Sequence, residues 1–121
     1  MEKQTYTYDE AFAKSLEYFK GDELAARVWV NKYAVKDSFG NIYEQSPEDM
    51  HWRIANEVAR IEAKYANGLS AQELFELFDH FKYIVPQGSP MTGIGNDFQV
   101  ASLSNCFVIG MEGAADSYGA I

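Results

Sequence analysis

The residue with the most obvious chemistry in this chain is its only cysteine, Cys106. It begins an apolar run that continues to Ile109, and it directly follows the polar residues Ser102, Ser104 and Asn105 in a Ser-Leu-Ser-Asn sequence. A lone cysteine in an apolar strand usually packs as a small hydrophobic side chain. Hydroxyl and amide groups beside a strand are also a common way to place polar contacts to a ligand. On the residues alone, Cys106 is either packing or one part of a redox site.

The two histidines do not form a recognisable metal site. His51 and His80 lie on separate predicted helices and lack the i, i+4 spacing with which paired histidines on one helix bind zinc. We expect both at the surface or at the edge of the core, and no metal site is predicted.

Other candidate groups have simpler structural interpretations. The stretch from Gly93 to Phe98 begins like a dinucleotide-binding fingerprint, but Phe98 takes the place of the third glycine and no strand directly precedes it, so a shaped turn is predicted. Several carboxylates at helical spacing are interpreted as solvated surface, namely Glu57, Glu62, Glu73 and Glu76. No basic patch accompanies the aromatic residues Phe75, Phe78 and Phe81, so they are expected in the core.

Composition and charge fit one small globular domain. Of 121 residues, 47% are hydrophobic, which suffices for a packed core. The 18 acidic and 10 basic residues give a net charge of −8, which repels phosphate backbones and argues against DNA or RNA as a partner. The N-terminus lacks a signal-peptide core and no run approaches the ~20 apolar residues of a membrane span, so no membrane partner is predicted. A single cysteine cannot form an internal disulfide, and a cytoplasmic location is expected.

Four amphipathic helices are predicted in the first two thirds of the chain. Thr7 begins a helix over about residues 8–20, and Asp22 begins a second that fades near residue 36. Residues 36–41 are predicted to turn, with a short extended stretch at 42–43. Ser46 is predicted to cap a long helix that reaches residue 66, and Ser70 caps one that reaches residue 81. The apolar positions at helical spacing are Phe12, Leu16 and Phe19; Leu24, Val28 and Tyr33; Met50, Ile54, Val58, Ile61 and Tyr65; and Leu74, Phe75, Leu77, Phe78 and Phe81.

The character of the sequence changes at Pro86. Residues 86–96 contain two prolines and three glycines, which predicts a long shaped loop without regular structure. The run Cys106–Ile109 does not alternate with polar residues, so it predicts a strand buried on both faces, which needs neighbouring strands. We therefore expect the front part of a longer protein, with a helical domain at residues 1–85 and a connecting loop and strand at residues 86–121.

Four stretches of this sequence resemble the large, catalytic chain of ribonucleotide reductases. Residues 24–33 and 47–55 are similar to the N-terminal helical domain of that family, and residues 83–91 to its connection into the catalytic barrel. The run Ser102–Gly110 resembles the start of the barrel, where a Ser/Asn-Cys pair opens the first strand. The Val-Pro-Gln-Gly-Ser-Pro-Met run and the absence of an ATP-cone region are most similar to the adenosylcobalamin-dependent ribonucleoside-diphosphate reductases, although the residues alone leave diphosphate and triphosphate substrates open.

The resemblance implies a mainly α chain that ends in the first strand of a ten-stranded α/β barrel, the rest of which is missing from it. It also implies that the complete enzyme reduces ribonucleotides to 2′-deoxyribonucleotides by thiyl-radical chemistry. Cys106 matches one of the two cysteines that reduce the substrate and become a disulfide. Because the partner cysteine and the radical cysteine are absent from this chain, it is expected to be inactive alone.

The same resemblance assigns the other candidate site residues. Ser89 matches a hydroxyl position that contacts the substrate, while Ser104 and Asn105 match polar positions beside the cysteine. Residues 111–117 resemble a loop that helps to bind a nucleotide effector, with Asp116 and Ser117 as the candidate contacts. The partners implied are adenosylcobalamin, held outside this chain, a thioredoxin-like reductant and the remainder of the reductase.

A second interpretation involves no catalysis. A helical module with an unpaired C-terminal strand would pair that strand with the sheet of a partner, and Cys106 would then only pack. A free-standing thiol enzyme is poorly supported, because no base or resolving cysteine can be identified for Cys106.

Overall fold

Five α-helices form the part of the chain that the computed structural model describes, residues 4–98 and 103. They are α1 (Tyr8–Tyr18), α2 (Glu23–Val28), α3 (Pro47–Glu62), α4 (Ala71–Phe78) and α5 (Gly88–Gly93). A π-helical turn, Trp29–Tyr33, continues α2, and a 3₁₀ turn, Asp79–Phe81, follows α4. Among these residues, extended pairing is limited to isolated bridges from Ile42 to Tyr6 and to Lys36. The mainly helical prediction is confirmed here, whereas the predicted strand at residues 106–109 lies outside the described residues.

Three helices begin at the side-chain caps that the sequence predicts. Thr7 and Glu10 form a complete capping box, because the Thr7 hydroxyl accepts from the Glu10 amide at 3.2 Å and the Glu10 carboxylate accepts from the Thr7 amide at 3.0 Å. Asp22 accepts from the backbone of α2 at 3.1 Å, and Ser70 accepts from that of α4 at 3.2 Å. These starts depend only on neighbouring residues, which is why the sequence locates them.

The start of α3 is predicted at the right place, but the predicted hydroxyl cap is absent. Ser46 makes no side-chain cap bond to the helix backbone. Instead, Asp49 in the first turn accepts from the backbone amide of Gln45 at 3.0 Å. Pro47 occupies the first helical position, where its fixed φ suits the helix and its missing N–H removes no hydrogen bond.

The predicted helix ends lie too far along the chain. Helix α1 stops before Lys20 and Gly21, whose φ angles of 56° and 93° are left-handed. Helix α3 ends at Glu62 and not at residue 66, and its last two predicted apolar positions, Ile61 and Tyr65, are exposed. Without burial of those side chains, little tertiary packing supports a further turn.

The core surrounds α3, which packs most extensively against α4. Met50 and Ile54 of α3 are almost fully buried, as the sequence predicts. They share one apolar cluster with Trp29 and Val30 of the π turn and with Phe78 of α4. Phe75 and Phe81 pack against this cluster, so the prediction that the three phenylalanines belong to the core is confirmed.

The inward face predicted for the second helix is wrong. Leu24 and Val28 are 69% and 41% exposed, whereas Trp29 and Val30 are buried. The buried residues Ala26, Trp29 and Val30 are spaced i, i+3 and i+4, so the helical period holds and the buried face is a different one from that predicted. The π turn, in which the amide of Ala34 bonds to the carbonyl of Trp29 at 3.0 Å, begins only after Leu24 and Val28. In α1, similarly, the buried residues are Ala11 and Ser15, while the predicted Phe12, Leu16 and Phe19 are only partly buried.

Residues 86–96 do not form the irregular loop that their glycines and prolines predict, because α5 lies within them. Pro90 is the third residue of α5, and a proline in the first helical turn removes no helical hydrogen bond. The hydroxyl of Thr92 donates to the carbonyls of Gly88 and Ser89 at 3.2 Å. The side chain of Met91 is buried in the core. The position of Pro90 in the first turn and the burial of Met91 therefore allow a helix despite the glycine and proline content of this segment.

The segment after α5 is the shaped turn that was predicted. Gly95 has a φ of 73°, and a Cβ built on it would lie 2.9 Å from Cγ of Arg53 and 3.2 Å from its carbonyl oxygen. This glycine is required twice, once for the left-handed backbone and once for the close approach of α3. No dinucleotide fingerprint is needed to explain it.

His51 is fully buried, which corrects the expectation of a surface or core-edge position. Its Nδ1 lies 3.3 Å from Oδ1 of Asp79, and its ring packs edge-on against Phe81. His80 is exposed and lies 3.5 Å from the same carboxylate, so the fold brings together two histidines that the sequence separates. Within residues 4–98, no three histidine, cysteine or acidic side chains are placed to hold a metal ion.

Burial lowers the pKa of His51 below its ordinary value of 6.5, although the neighbouring Asp79 acts in the opposite direction. Desolvation dominates because the imidazole has no exposed surface, and its Nε2 has no hydrogen-bond partner. The folded protein therefore holds His51 in its neutral form more strongly than the unfolded chain does.

The described part of the chain contains no helix with the length and apolar character needed to span a membrane. Of the carboxylates predicted at the surface, Glu73 and Glu76 are exposed. Glu57 and Glu62 are partly buried: Glu57 pairs with Arg60 at 2.6 Å, and Glu62 accepts from the backbone amide of Leu69 at 2.9 Å.

We expect Gly95→Ala to destabilise the fold more than Gly40→Ala. Both glycines have positive φ, but only Gly95 has atoms within 4 Å of the added Cβ. Backbone strain alone should cost about 1–2 kcal/mol at either position. At Gly95 the displacement of Arg53 should add about 1 kcal/mol or more. Urea unfolding of both variants measures the difference, and equal losses would contradict the close approach.

We expect the free energy of unfolding to decrease as the pH falls below about 6.5, because the unfolded chain binds a proton at His51 more readily than the folded protein. His51→Gln should lessen this decrease between about pH 7.5 and about pH 5.5. His80→Gln is the matched control, since that exposed histidine contacts the same carboxylate. The comparison uses the change with pH and not the absolute stability. If the two variants keep the same pH dependence, His51 is not its source.

Candidate functional site

Ser89 is the one predicted site residue that lies in the described part of the chain. The other predicted contacts fall outside the described residues and stay predictions: Cys106, Ser104, Asn105, Asp116 and Ser117. The division into domains at residues 85 and 86 also stays a prediction. The geometry around Ser89 and α5 is therefore what the structure contributes to the site.

Ser89 is the second residue of α5 and is partly buried. Its carbonyl accepts from the hydroxyl of Thr92 at 3.2 Å, which closes the short helix on itself. The preceding residue, Gly88, lies against the ring of Tyr33 in the π turn, since a Cβ built on Gly88 would be 3.5 Å from Cε1 of that ring. The N-terminal end of α5 is thus packed directly on the helical domain.

The other end of α5 is held by Arg53 of α3. One guanidinium nitrogen donates to the carbonyl of Met91 at 2.5 Å, and another donates to the carbonyl of Ile94. The last carbonyls of a helix have no partner within it, and a cation is favourable at this end of the helix dipole. Arg53 therefore satisfies the C-terminal end of α5 from a different helix.

A carboxylate holds the guanidinium in turn. Oε2 of Glu44 accepts from Nε of Arg53 at 2.8 Å, and its other oxygen accepts from the backbone amide of Val35 at 3.1 Å. The side chains of Arg53 and Glu44 are only 11% and 6% exposed. Burial raises the pKa of Glu44, and the attraction of Arg53 offsets part of that shift. Removing either partner would leave a buried charge unpaired, which typically costs about 3–5 kcal/mol.

A cleft of about 290 Å³ lies beside this pair. Trp52 and Tyr43 contribute aromatic surface to it, and the ring of Tyr43 stacks on that of Phe98 with centroids 4.5 Å apart. Its other polar side chains are the carboxylates of Asp49 and Asp97, which accept hydrogen bonds, and the amide of Asn56, which donates and accepts them. None of these residues is predicted as a site residue from the sequence.

Arg53 and Glu44 are the site residues that sequence reasoning missed. One signal was present, because Arg53 lies three residues after Met50 and hence on the same, buried face of α3. A charged residue on an inward face needs a buried partner. The sequence does not identify Glu44 as that partner, since it lies on the preceding connection.

The described residues do not form a complete reaction centre. Ser89 offers a hydroxyl on a short helix that is held at both ends. His51 and Asp79 form the arrangement of a base and its orienting carboxylate, but the imidazole is fully buried and cannot meet a substrate.

The family comparison agrees with this helical architecture. A family model described as the all-alpha domain of ribonucleotide reductase matches residues 19–92, a stretch that begins at the end of α1 and reaches into α5 past Ser89. Neither the curated proteins nor the solved structures give a significant match. Because the matched residues make up more than half of the sequence, the chain belongs to the ribonucleotide reductase family and carries its all-alpha domain.

Proposed function

We propose that this chain forms the N-terminal helical domain and the first part of the substrate pocket of a ribonucleoside-diphosphate reductase of the adenosylcobalamin-dependent class. Membership of the reductase family makes it part of an oxidoreductase of deoxyribonucleotide synthesis, with a nucleotide substrate. The observation that carries the proposal is that the family match extends through Ser89 on α5. The finer assignments of class, substrate phosphate and cysteine chemistry rest on the resemblance of residues 83–91 and 102–110.

In this proposal Ser89 and Cys106 have different tasks. The hydroxyl of Ser89 contacts the substrate, since a short hydroxyl can bind phosphate or ribose oxygens without a basic cluster. Such a contact is compatible with the net charge of −8. Cys106 supplies the reducing chemistry beside the ribose.

The proposed reduction balances with two thiols. The C2′–O bond breaks as Cys106 donates a proton to the departing 2′-hydroxyl, which leaves as water, and the hydrogen of a second cysteine thiol replaces it at C2′. The two electrons come from the two thiols as they form a disulfide. A thioredoxin-like dithiol then reduces that disulfide by thiol exchange. The radical cysteine and the second reducing cysteine belong to the remainder of the reductase, so this chain has no turnover alone.

Adenosylcobalamin enters through the resemblance, and no described residue is assigned to its site. When bound to the complete enzyme it would supply the radical. Asp116 and Ser117 are the proposed contacts to a nucleotide effector.

We expect Cys106→Ser in the complete reductase that contains this chain to abolish turnover driven by a thioredoxin-like reductant, by about a thousandfold or more. Serine keeps the size of the side chain but cannot form the disulfide, so binding of the ribonucleotide should be retained. Equilibrium binding of the ribonucleotide provides that control. Unchanged turnover would overturn the role of Cys106 and favour the alternative in which this residue only packs.

We expect the complete reductase to require adenosylcobalamin and to prefer ribonucleoside diphosphates. The measurement is deoxyribonucleotide formation from the diphosphate and the triphosphate of one nucleoside, each with and without the cobalamin. Turnover without it would overturn the assignment of class, and faster reduction of the triphosphate would overturn the assignment of substrate. Both outcomes would leave the reductase family unchanged.

A further inference from the structure

We infer that Arg53 is a positioning residue for the substrate pocket, because its hold on the C-terminal end of α5 determines where the hydroxyl of Ser89 lies. The inference rests on the proposed function, in which Ser89 contacts the substrate. Arg53 itself makes no contact with the substrate in this inference and acts only through Ser89.

Arg53 joins several parts of the chain. Its side chain extends from α3 to the carbonyls of Met91 and Ile94 and also binds Glu44, which in turn accepts from the amide of Val35. The connection before α3, α3 itself and the end of α5 therefore meet at the side chain of Arg53, which is only 11% exposed. A buried planar donor fixed by a carboxylate has little freedom to move, so the carbonyls that it binds are fixed as well.

Helix α5 is short. Its six residues span only about 9 Å, so fixing one end fixes the direction of the whole helix. At the opposite end Gly88 packs on Tyr33, and Thr92 bonds to the carbonyl of Ser89. Ser89 consequently moves with α5 and not independently of it.

Helix α3 carries a second arginine, which lies at the surface. Arg60 is 64% exposed and pairs with Glu57 three residues before it, on the surface of the same helix. Surface pairs of this kind contribute little to stability. Arg60 therefore provides a matched control for the loss of a guanidinium from α3.

Lysine is the informative substitution at position 53. It keeps a positive charge beside Glu44, so the carboxylate is not left buried without a cation. It lacks the fork of donors with which arginine binds the carboxylate and two carbonyls together. Arg53→Lys should thus preserve the fold while releasing the end of α5.

The experiment compares Arg53→Lys, Ser89→Ala, their combination and Arg60→Lys in the complete reductase. We expect either Arg53→Lys or Ser89→Ala to raise KM for the ribonucleotide about tenfold with a smaller effect on kcat. The combined variant should resemble the single variants, because both changes act through one hydroxyl. Arg60→Lys should leave KM unchanged. Hydrogen exchange of the α5 amides should accelerate in Arg53→Lys and not in Arg60→Lys.

Two outcomes would overturn the inference. If Arg53→Lys leaves KM at the value of Arg60→Lys, or if its effect multiplies with that of Ser89→Ala, Arg53 does not act through Ser89. If Ser89→Ala itself leaves KM unchanged, the substrate contact on which the inference rests is wrong, while the result for Cys106→Ser still tests the proposed reducing role of that cysteine independently.

Should Arg53→Lys fail to fold, the double change Arg53→Met with Glu44→Gln removes both charges and avoids a buried unpaired ion. It also removes both bonds to the end of α5, so the same rise in KM and the same lack of additivity with Ser89→Ala are expected. A wild-type KM in a folded double variant would overturn the inference equally.

Discussion

The buried ion pair between Arg53 and Glu44 is the interaction on which the arrangement of the described residues depends. Neither charge is favourable inside a small helical domain unless the other is present, and each also needs its remaining hydrogen-bonding capacity satisfied. Glu44 meets this requirement with the amide of Val35, and Arg53 with the carbonyls of Met91 and Ile94. The electrostatic requirement of one pair thereby joins the turn before α3, α3 itself and α5 into one unit.

Local sequence determines the starts of the helices, and tertiary packing determines much of the rest. Thr7, Asp22 and Ser70 act on backbone amides within three residues, so the sequence locates the starts of α1, α2 and α4 correctly. Trp29 and Val30 are buried in the π turn, and no periodicity of the sequence indicates that turn. The sequence does not predict α5, because the glycine and proline content of residues 86–96 indicates a loop. Pro90 is tolerated in this helix only because it lies in the first turn.

The candidate site was only partly accessible from sequence for the same reason. Resemblance indicated Ser89, since a motif of neighbouring residues can be recognised without a fold. Arg53 on α3 pairs with Glu44, which lies nine residues earlier on the preceding connection. The carbonyls that Arg53 binds lie about forty residues further along the chain. His51 shows a related limit, because its complete burial follows from packing against Phe78 and Phe81 and not from any feature of its own helix.

The bonds from Arg53 to α5 end on backbone carbonyls and on no side chain of that helix. Every amino acid supplies the same carbonyl, so the anchor places no demand on the side chains at positions 91 and 94. Under the proposed function, in which Ser89 contacts a nucleotide, residues near the N-terminal end of α5 can therefore be exchanged during evolution without loss of the attachment. Preference for one nucleotide over another can then change at that end while the C-terminal end of α5 stays fixed.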